Sequence, residues 1–237
     1  MLIFEPRAEG RLNEIEILYH DDYLVVANKP CGMPSQPDQS GDESVLSVGT
    51  RVLGDILYPI HRLDRPASGI VILAVTRSAA AQLSEMLANR TITRRYWAIV
   101  AGVPHPSSNA LVNSIRLDRA RNKAVLSDRG RTARLSYRTL SVGERFSLLE
   151  VELETGRTHQ IRVQLSAIGH PIRGDLKYGA RRSQPGGGIA LHAVEVSLRH
   201  PATGELMSWL ASPPQTSLWK ALAPLPNPPP DQPSDDD

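Results

Sequence analysis

The sequence predicts an α+β fold built on a largely antiparallel, mixed sheet, and three observations carry that expectation. Segments with the period-two alternation of strands outnumber segments with helical spacing. The strands follow one another mostly as hairpins instead of alternating with helices, which separates this chain from doubly wound α/β proteins. A six-residue apolar run, Ile70 to Val75, follows directly on a tight basic turn and reads as a buried strand.

Taken in order, residues 1–14 are polar without a clear period and are expected to form an extended arm ahead of a single domain at 15–223. Ile15–Tyr19 and Leu24–Ala27 read as strands joined by the turn-prone His20-Asp21-Asp22, and Lys29-Pro30 stops the second. Cys31–Glu43 has loop composition and is a candidate cleft rim. Ser44–Leu53 is expected to be a short helix, although Gly49 weakens it by about 1 kcal/mol relative to alanine.

Beyond the apolar strand, Thr76 or Ser78 caps a scaffold helix whose Leu83, Met86 and Leu87 share a face. Arg94–Ala101 returns as a strand with Tyr96, Ala98 and Val100 on one side, and pairing it beside strand 70–75 would bring Tyr96 over the basic turn. Residues 110–154 alternate as antiparallel strands, Leu135 and Tyr137 against Arg134, Ser136 and Arg138. Thr158 is expected to cap a helix carrying Ile161, Leu165 and Ile168 on one face, with Gly169 and Pro171 ending it. Strands at Ile189–Leu198 and Leu206–Leu210 finish the fold, and the Pro- and Asp-rich 224–237 reads as a disordered tail.

Composition narrows the classes. Cys31 is the single cysteine, so an internal disulfide and thiolate metal sites are excluded and a reducing compartment, the cytoplasm, is expected. No apolar run is long enough for a signal peptide core or a membrane span. The net charge of +2 conceals an asymmetry: Arg116 to Arg138 holds eight bases against Asp118 and Asp128. Arginine-rich strands of this kind suit a phosphate backbone, since guanidinium forks match phosphate oxygens in pairs, although a solvated face of two strands has the same composition.

Chemistry concentrates on His61-Arg62-Leu63-Asp64-Arg65-Pro66-Ala67-Ser68-Gly69, where one acid is held on a turn among bases. A carboxylate beside guanidinium groups stays ionised at neutral pH, ready to act as a nucleophile or to stabilise a developing cation. The plainer reading is an ion pair with Arg62 or Arg65, or a turn cap. His61, Asp64 and Ser68 could also suggest a hydrolase triad, but no Gly-x-Ser-x-Gly elbow surrounds Ser68. His159, His170 and His192 lack zinc-protease spacing and read as packing or hydrogen-bonding residues.

His61-Arg62-Leu63-Asp64 with Ser68-Gly69 and the strand after it resembles the signature of the RluA family of pseudouridine synthases. Three further stretches recur in that family's order: Asp21 to Pro30 ending in Asn-Lys-Pro, Arg94-Arg95-Tyr96-Trp97-Ala98-Ile99-Val100, and Thr155-Gly156-Arg157-Thr158-His159-Gln160-Ile161-Arg162. The chain has Ala67 where the family commonly has threonine, and with a first strand expected from near Ile15 the family's amino-terminal RNA-binding module is not expected within these residues.

The resemblance implies two sheet-based lobes flanking a deep basic cleft, an RNA substrate from ribosomal or transfer RNA, and a monomeric enzyme that needs no cofactor or metal. It implies that Asp64 is catalytic, that Arg162 pairs with it, that Tyr96 stacks on the uracil and takes or relays a proton, and that Arg62 fills the gap left by a flipped nucleotide. Lys29 and Arg94 are implied as phosphate or cleft residues. The alternative from another class is a non-catalytic RNA-binding or ribosome-assembly factor with the same basic cleft.

Overall fold

A computed structural model describes residues 10–12, 15–184 and 187–223. The expected tail at 224–237 and most of the expected arm at 1–14 lie outside these residues. Among those described, twelve strands form one sheet in which β1 (Gly10–Leu12), β2 (Ile15–His20), β3 (Leu24–Lys29), β4 (Tyr58–Pro59) and β5 (Ser68–Ala74) make one wing. The other wing is β6 (Thr93–Ala101), β7 (Ser108–Asp118), β8 (Lys123–Leu126), β9 (Arg131–Val142) and β10 (Phe146–Leu153). Between them runs β11 (Leu191–Arg199), with β12 (Leu206–Leu210) on its outer half, so the spatial order is β1-β2-β3-β5-β11-β6-β10-β9-β7-β8.

Every pairing is antiparallel except β5 with β11, which meet in parallel at His192 opposite Ser68 and Ala193 opposite Gly69. The condition that β6 lie directly beside β5 is not met, because β11 separates them. The consequence for Tyr96 survives, since Ala193 pairs with Gly69 on one side and with Tyr96 on the other. Gly69 is needed at this crossing: its φ is +111°, and an added Cβ would stand 2.3 Å from the Ala193 oxygen.

β5 is buried throughout, and its Ile70–Ala74 run is apolar because both of its faces are covered. Val71 and Leu73 pack with Val25, Ala27 and helix α1 (Val45–Leu53), whereas Ile70 and Ile72 pack with Leu24, Val26 and helix α2 (Arg77–Ala88). Burying such side chains contributes about 1.5–3 kcal/mol each. Ser44 caps α1 in a reciprocal capping box with Ser47. Gly49 lies where α1 meets Leu57, whose Cδ1 would be 2.8 Å from an added Cβ, so close packing explains the glycine that local propensity disfavours. Thr76 caps α2 by accepting the Ala79 N–H.

Helix α3 (Gln160–Ala167) departs from expectation at both ends. His159, not Thr158, is the capping residue, in the left-handed region at φ 54° and without a side-chain cap bond. Ile161 and Leu165 are buried as expected, but Ile168 is exposed, because the helix stops at Ala167 and the chain turns away through Gly169 at φ +87°. No helix among the described residues is long and apolar enough to cross a membrane.

Candidate active site

The basic turn is the tip of a hairpin between β4 and β5, in which Tyr58 faces Ala74 and Pro59 faces Leu73. His61 helps to close it: its Nε2 accepts the Ile72 N–H at 3.1 Å, and burial lowers its pKa to about 3, so the ring is neutral. The far side of the turn is clamped from below. Ser35 Oγ accepts the Leu63 N–H and donates to the Leu63 oxygen, while the Lys29 ammonium donates to the oxygens of Pro30, Met33, Arg65 and Ala67. Arg65 turns outward and pairs with Asp42 and Asp38, drawing the 31–43 loop against the turn. Ala67 supplies no hydroxyl, but its N–H donates to the Asp64 oxygen and its own oxygen receives Lys29, so backbone groups and Lys29 hold the turn.

This clamping leaves the Asp64 carboxylate partly open, its side chain 17% exposed, and aimed at α3. Arg162 Nη1 donates to Asp64 Oδ2 at 2.9 Å. The same guanidinium donates through Nε and Nη2 to the two oxygens of Asp175, at 2.7 and 2.8 Å. Burial opposes the positive charge, but the hydrogen bonds and charges of Asp175 and Asp64 outweigh it and raise the pKa of Arg162. Arg162 therefore pairs with Asp64 and Asp175 together.

Two cavities of about 540 and 520 Å³ meet at Arg62, Leu63, Asp64, His159 and Arg162. The first runs past Tyr96, Arg94 and Leu191 to the 153–158 loop and the end of α2, where Ser84, Leu87 and Ala88 line it. Helix α2 is therefore part of the cleft wall as well as scaffold. The second lies under the 34–38 loop and reaches Asn122 and Lys177. Each has the volume of a small-molecule site, and their junction is the 61–69 turn.

Tyr96 is buried in the first cavity's wall, and burial raises its phenol pKa, so it is a neutral ring at ordinary pH. Arg94 lies beside it, 8% exposed, with its Nε unpaired. Arg62 is exposed at the junction and forms no ion pair among the described residues. Lys29, expected as a phosphate or cleft residue, lines neither cavity: it is fully buried, its charge spent on four carbonyls, and burial lowers its pKa to about 8. Ser68 meets His192, not His61, through Oγ and Nδ1 at 2.9 Å, and His192 Nε2 bonds the Ala211 oxygen. Both side chains are buried and no carboxylate completes a triad, so the hydrolase reading fails.

Sequence reasoning missed two residues here. Asp175 was given no part in the chemistry, and His159 was expected as a packing or hydrogen-bonding residue with no link to Asp64, although its Nε2 lies 3.8 Å from Asp64 Oδ1. The arginine-rich strands β7 and β9 carry Arg116, Arg131 and Arg134 exposed, with Arg138 paired to Glu150 at 2.7 Å.

A carboxylate fixed by an arginine at the meeting of two cavities, on a mostly antiparallel sheet, defines an enzyme that acts on a ligand reaching into a basic cleft. The chain belongs to the RNA pseudouridylate synthase family, whose model matches residues 23–167, and it is an RNA pseudouridine synthase. It is 36% identical over 203 residues to the uncharacterised RNA pseudouridine synthase YhcT of Bacillus subtilis strain 168, covering 82% of this chain and 67% of that one. It is 34% identical over 223 residues to ribosomal large subunit pseudouridine synthase D of Zymomonas mobilis, covering 85% and 70%. Among solved structures, human RNA pseudouridylate synthase domain containing 4 superimposes with a TM-score of 0.69 at 28% identity, covering 84% of this chain and 88% of that one.

Proposed function

We propose that this enzyme isomerises uridine in large-subunit ribosomal RNA, with Asp64 as the carboxylate that acts at ribose C1′. The observation that carries this reading is the Arg162–Asp64 pair at 2.9 Å, placed where the two cavities join. The reaction breaks the N1–C1′ bond, turns the uracil and joins C5 to C1′; the C5 proton leaves and N1 gains one, so no atom is lost overall. Such an isomerisation draws on no external electron or group donor.

In this reading the first cavity receives the flipped uridine. Tyr96 stacks on the uracil, and its raised pKa suits a neutral stacking ring better than a base. Arg94, a buried cation with an unpaired Nε, contacts the nucleotide, and Arg62 occupies the space vacated in the RNA. Flipping costs a few kcal/mol, least in loops and bulges. Exposed arginines of β7 and β9 offset it by binding phosphates. The ribosomal target follows from the relatives named for the large subunit. The protein is proposed to work as a monomer in the cytoplasm, in keeping with its single cysteine.

Mapping pseudouridine in ribosomal and transfer RNA from cells with and without the gene tests the substrate. Loss of one or more large-subunit positions is expected on deletion. Unchanged ribosomal RNA together with a lost transfer RNA position would transfer the assignment to transfer RNA.

A further inference from the structure

His159 stands in the left-handed region at φ 54°, which few non-glycine residues adopt, at a cost of about 1–3 kcal/mol. Its imidazole turns inward. Nδ1 lies 2.9 Å from the Tyr178 hydroxyl, and the two rings meet edge-on with centroids 5.6 Å apart. Tyr178 is itself anchored, because its oxygen accepts the Ala124 N–H at 2.7 Å. The remaining nitrogen, Nε2, is directed at Asp64 and stands 3.8 Å from Oδ1. The two oxygens of Asp64 thus have different neighbours: Oδ2 receives Arg162, and Oδ1 faces His159.

We infer that His159 is a positioning residue for Asp64, holding in place the oxygen that Arg162 leaves available for C1′. The inference rests on the reading of Asp64 as the reacting carboxylate. The single Tyr178 hydroxyl proton has two acceptors in reach, His159 Nδ1 at 2.9 Å and the Ala124 oxygen at 3.2 Å; in the tautomer in which it goes to the nearer Nδ1, the imidazole proton resides on Nε2, facing Oδ1. At 3.8 Å the contact is longer than a hydrogen bond, and catalytic contacts of this kind shorten once substrate fills the site. Tyr178 also lies under the Arg162 guanidinium, 4.8 Å from ring centroid to Cζ, so one side chain braces the neighbours of both oxygens.

The charged groups around the ring are Asp64 on the turn, Arg162 on α3, and Asp175 and Lys177 on the segment after it. Burial, aided by Arg162 and Lys177 and opposed by Asp64 and Asp175, lowers the pKa of His159 below its ordinary 6.5. The ring is therefore neutral at pH 7 and can share Oδ1 without capturing it. Protonation in acid would tie Oδ1 into an ion pair and stop the reaction.

The test is single-turnover tritium release, with excess protein, from total RNA of cells lacking the gene and grown on uridine tritiated at C5. Binding to the same RNA and thermal unfolding are followed alongside. Wild type and Asp64→Asn are compared first; release by the former and none by the latter is the reading on which the inference rests, and it is decided without His159. His159→Ala is then expected to slow release about 10- to 100-fold with RNA affinity unchanged. His159→Gln, whose amide N–H replaces Nε2–H, is expected to restore most of the rate and to lack the acid loss of rate that wild type shows at a pH lower than an ordinary imidazole would give. A His159→Ala protein as fast as wild type, or a His159→Gln protein with the wild-type acid profile, overturns the inference. Should His159→Ala fail to fold, Tyr178→Phe decides: several-fold slower release at unchanged RNA affinity supports the inference, and an unchanged rate overturns it.

Discussion

Arg162 donates to Asp64 across 98 residues of chain while its other two nitrogens, Nε and Nη2, donate to Asp175. The guanidinium therefore bridges one carboxylate that is 1% exposed and one that opens onto the cleft. Asp175 fixes the arginine, and the arginine fixes Asp64.

Removing the buried partner should be costly. Asp175→Asn leaves Arg162 without its bidentate acceptor, and breaking a buried pair costs about 3–5 kcal/mol. A fall of that size in the unfolding free energy by urea titration is expected, along with slower tritium release. A variant as stable as wild type would show that Arg162 needs only Asp64.

Arg162→Lys keeps the charge and loses the fork. A lysine ammonium cannot span both carboxylates with the same geometry, so tritium release is expected to fall about 100-fold with little change in RNA affinity. Single-turnover rates set beside filter binding separate the two effects, and a parallel loss of affinity would place Arg162 on the RNA instead.

The parallel crossing of β5 and β11 depends on Gly69. Gly69→Ala forces a Cβ to within 2.3 Å of the Ala193 oxygen at a φ of +111°. The expected loss is about 3 kcal/mol or more, a drop of roughly 6–12 °C in Tm for a domain of this size. A Tm within a degree or two of wild type would mean that β11 yields easily.

Lys29 offers a test between scaffold and RNA contact. Lys29→Met withdraws the partner of four carbonyls and should destabilise the fold by about 2 kcal/mol or more. The dependence of RNA affinity on salt should stay as in wild type, because no phosphate contact is lost. A shallower salt dependence would return Lys29 to the RNA interface.

The parts of this site legible in the sequence are those set by neighbours in the chain. The turn at 61–69, the apolar run from Ile70 and the alternation of β9 follow from spacing alone, and the resemblance pointed from them to Asp64, Tyr96 and Arg162. Long-range pairing was not legible. Nothing local to Gly69 or Tyr96 announces that Ala193 lies between them, since a parallel contact only two residues long leaves no periodic trace. Lys29 was misplaced for a related reason: a buried ammonium satisfied by carbonyls depends on backbone positions 36 and 38 residues away. His159 looked like an ordinary histidine because its contacts are long-range, Tyr178 lying nineteen residues on.

The central claim is that the Asp64 carboxylate performs the chemistry while RNA is held by other groups. Asp64→Asn, nearly the same in shape but uncharged, compared with wild type for tritium release from C5-labelled RNA, tests it most directly. No release with RNA binding retained is the predicted result. Release at the wild-type rate would contradict the account.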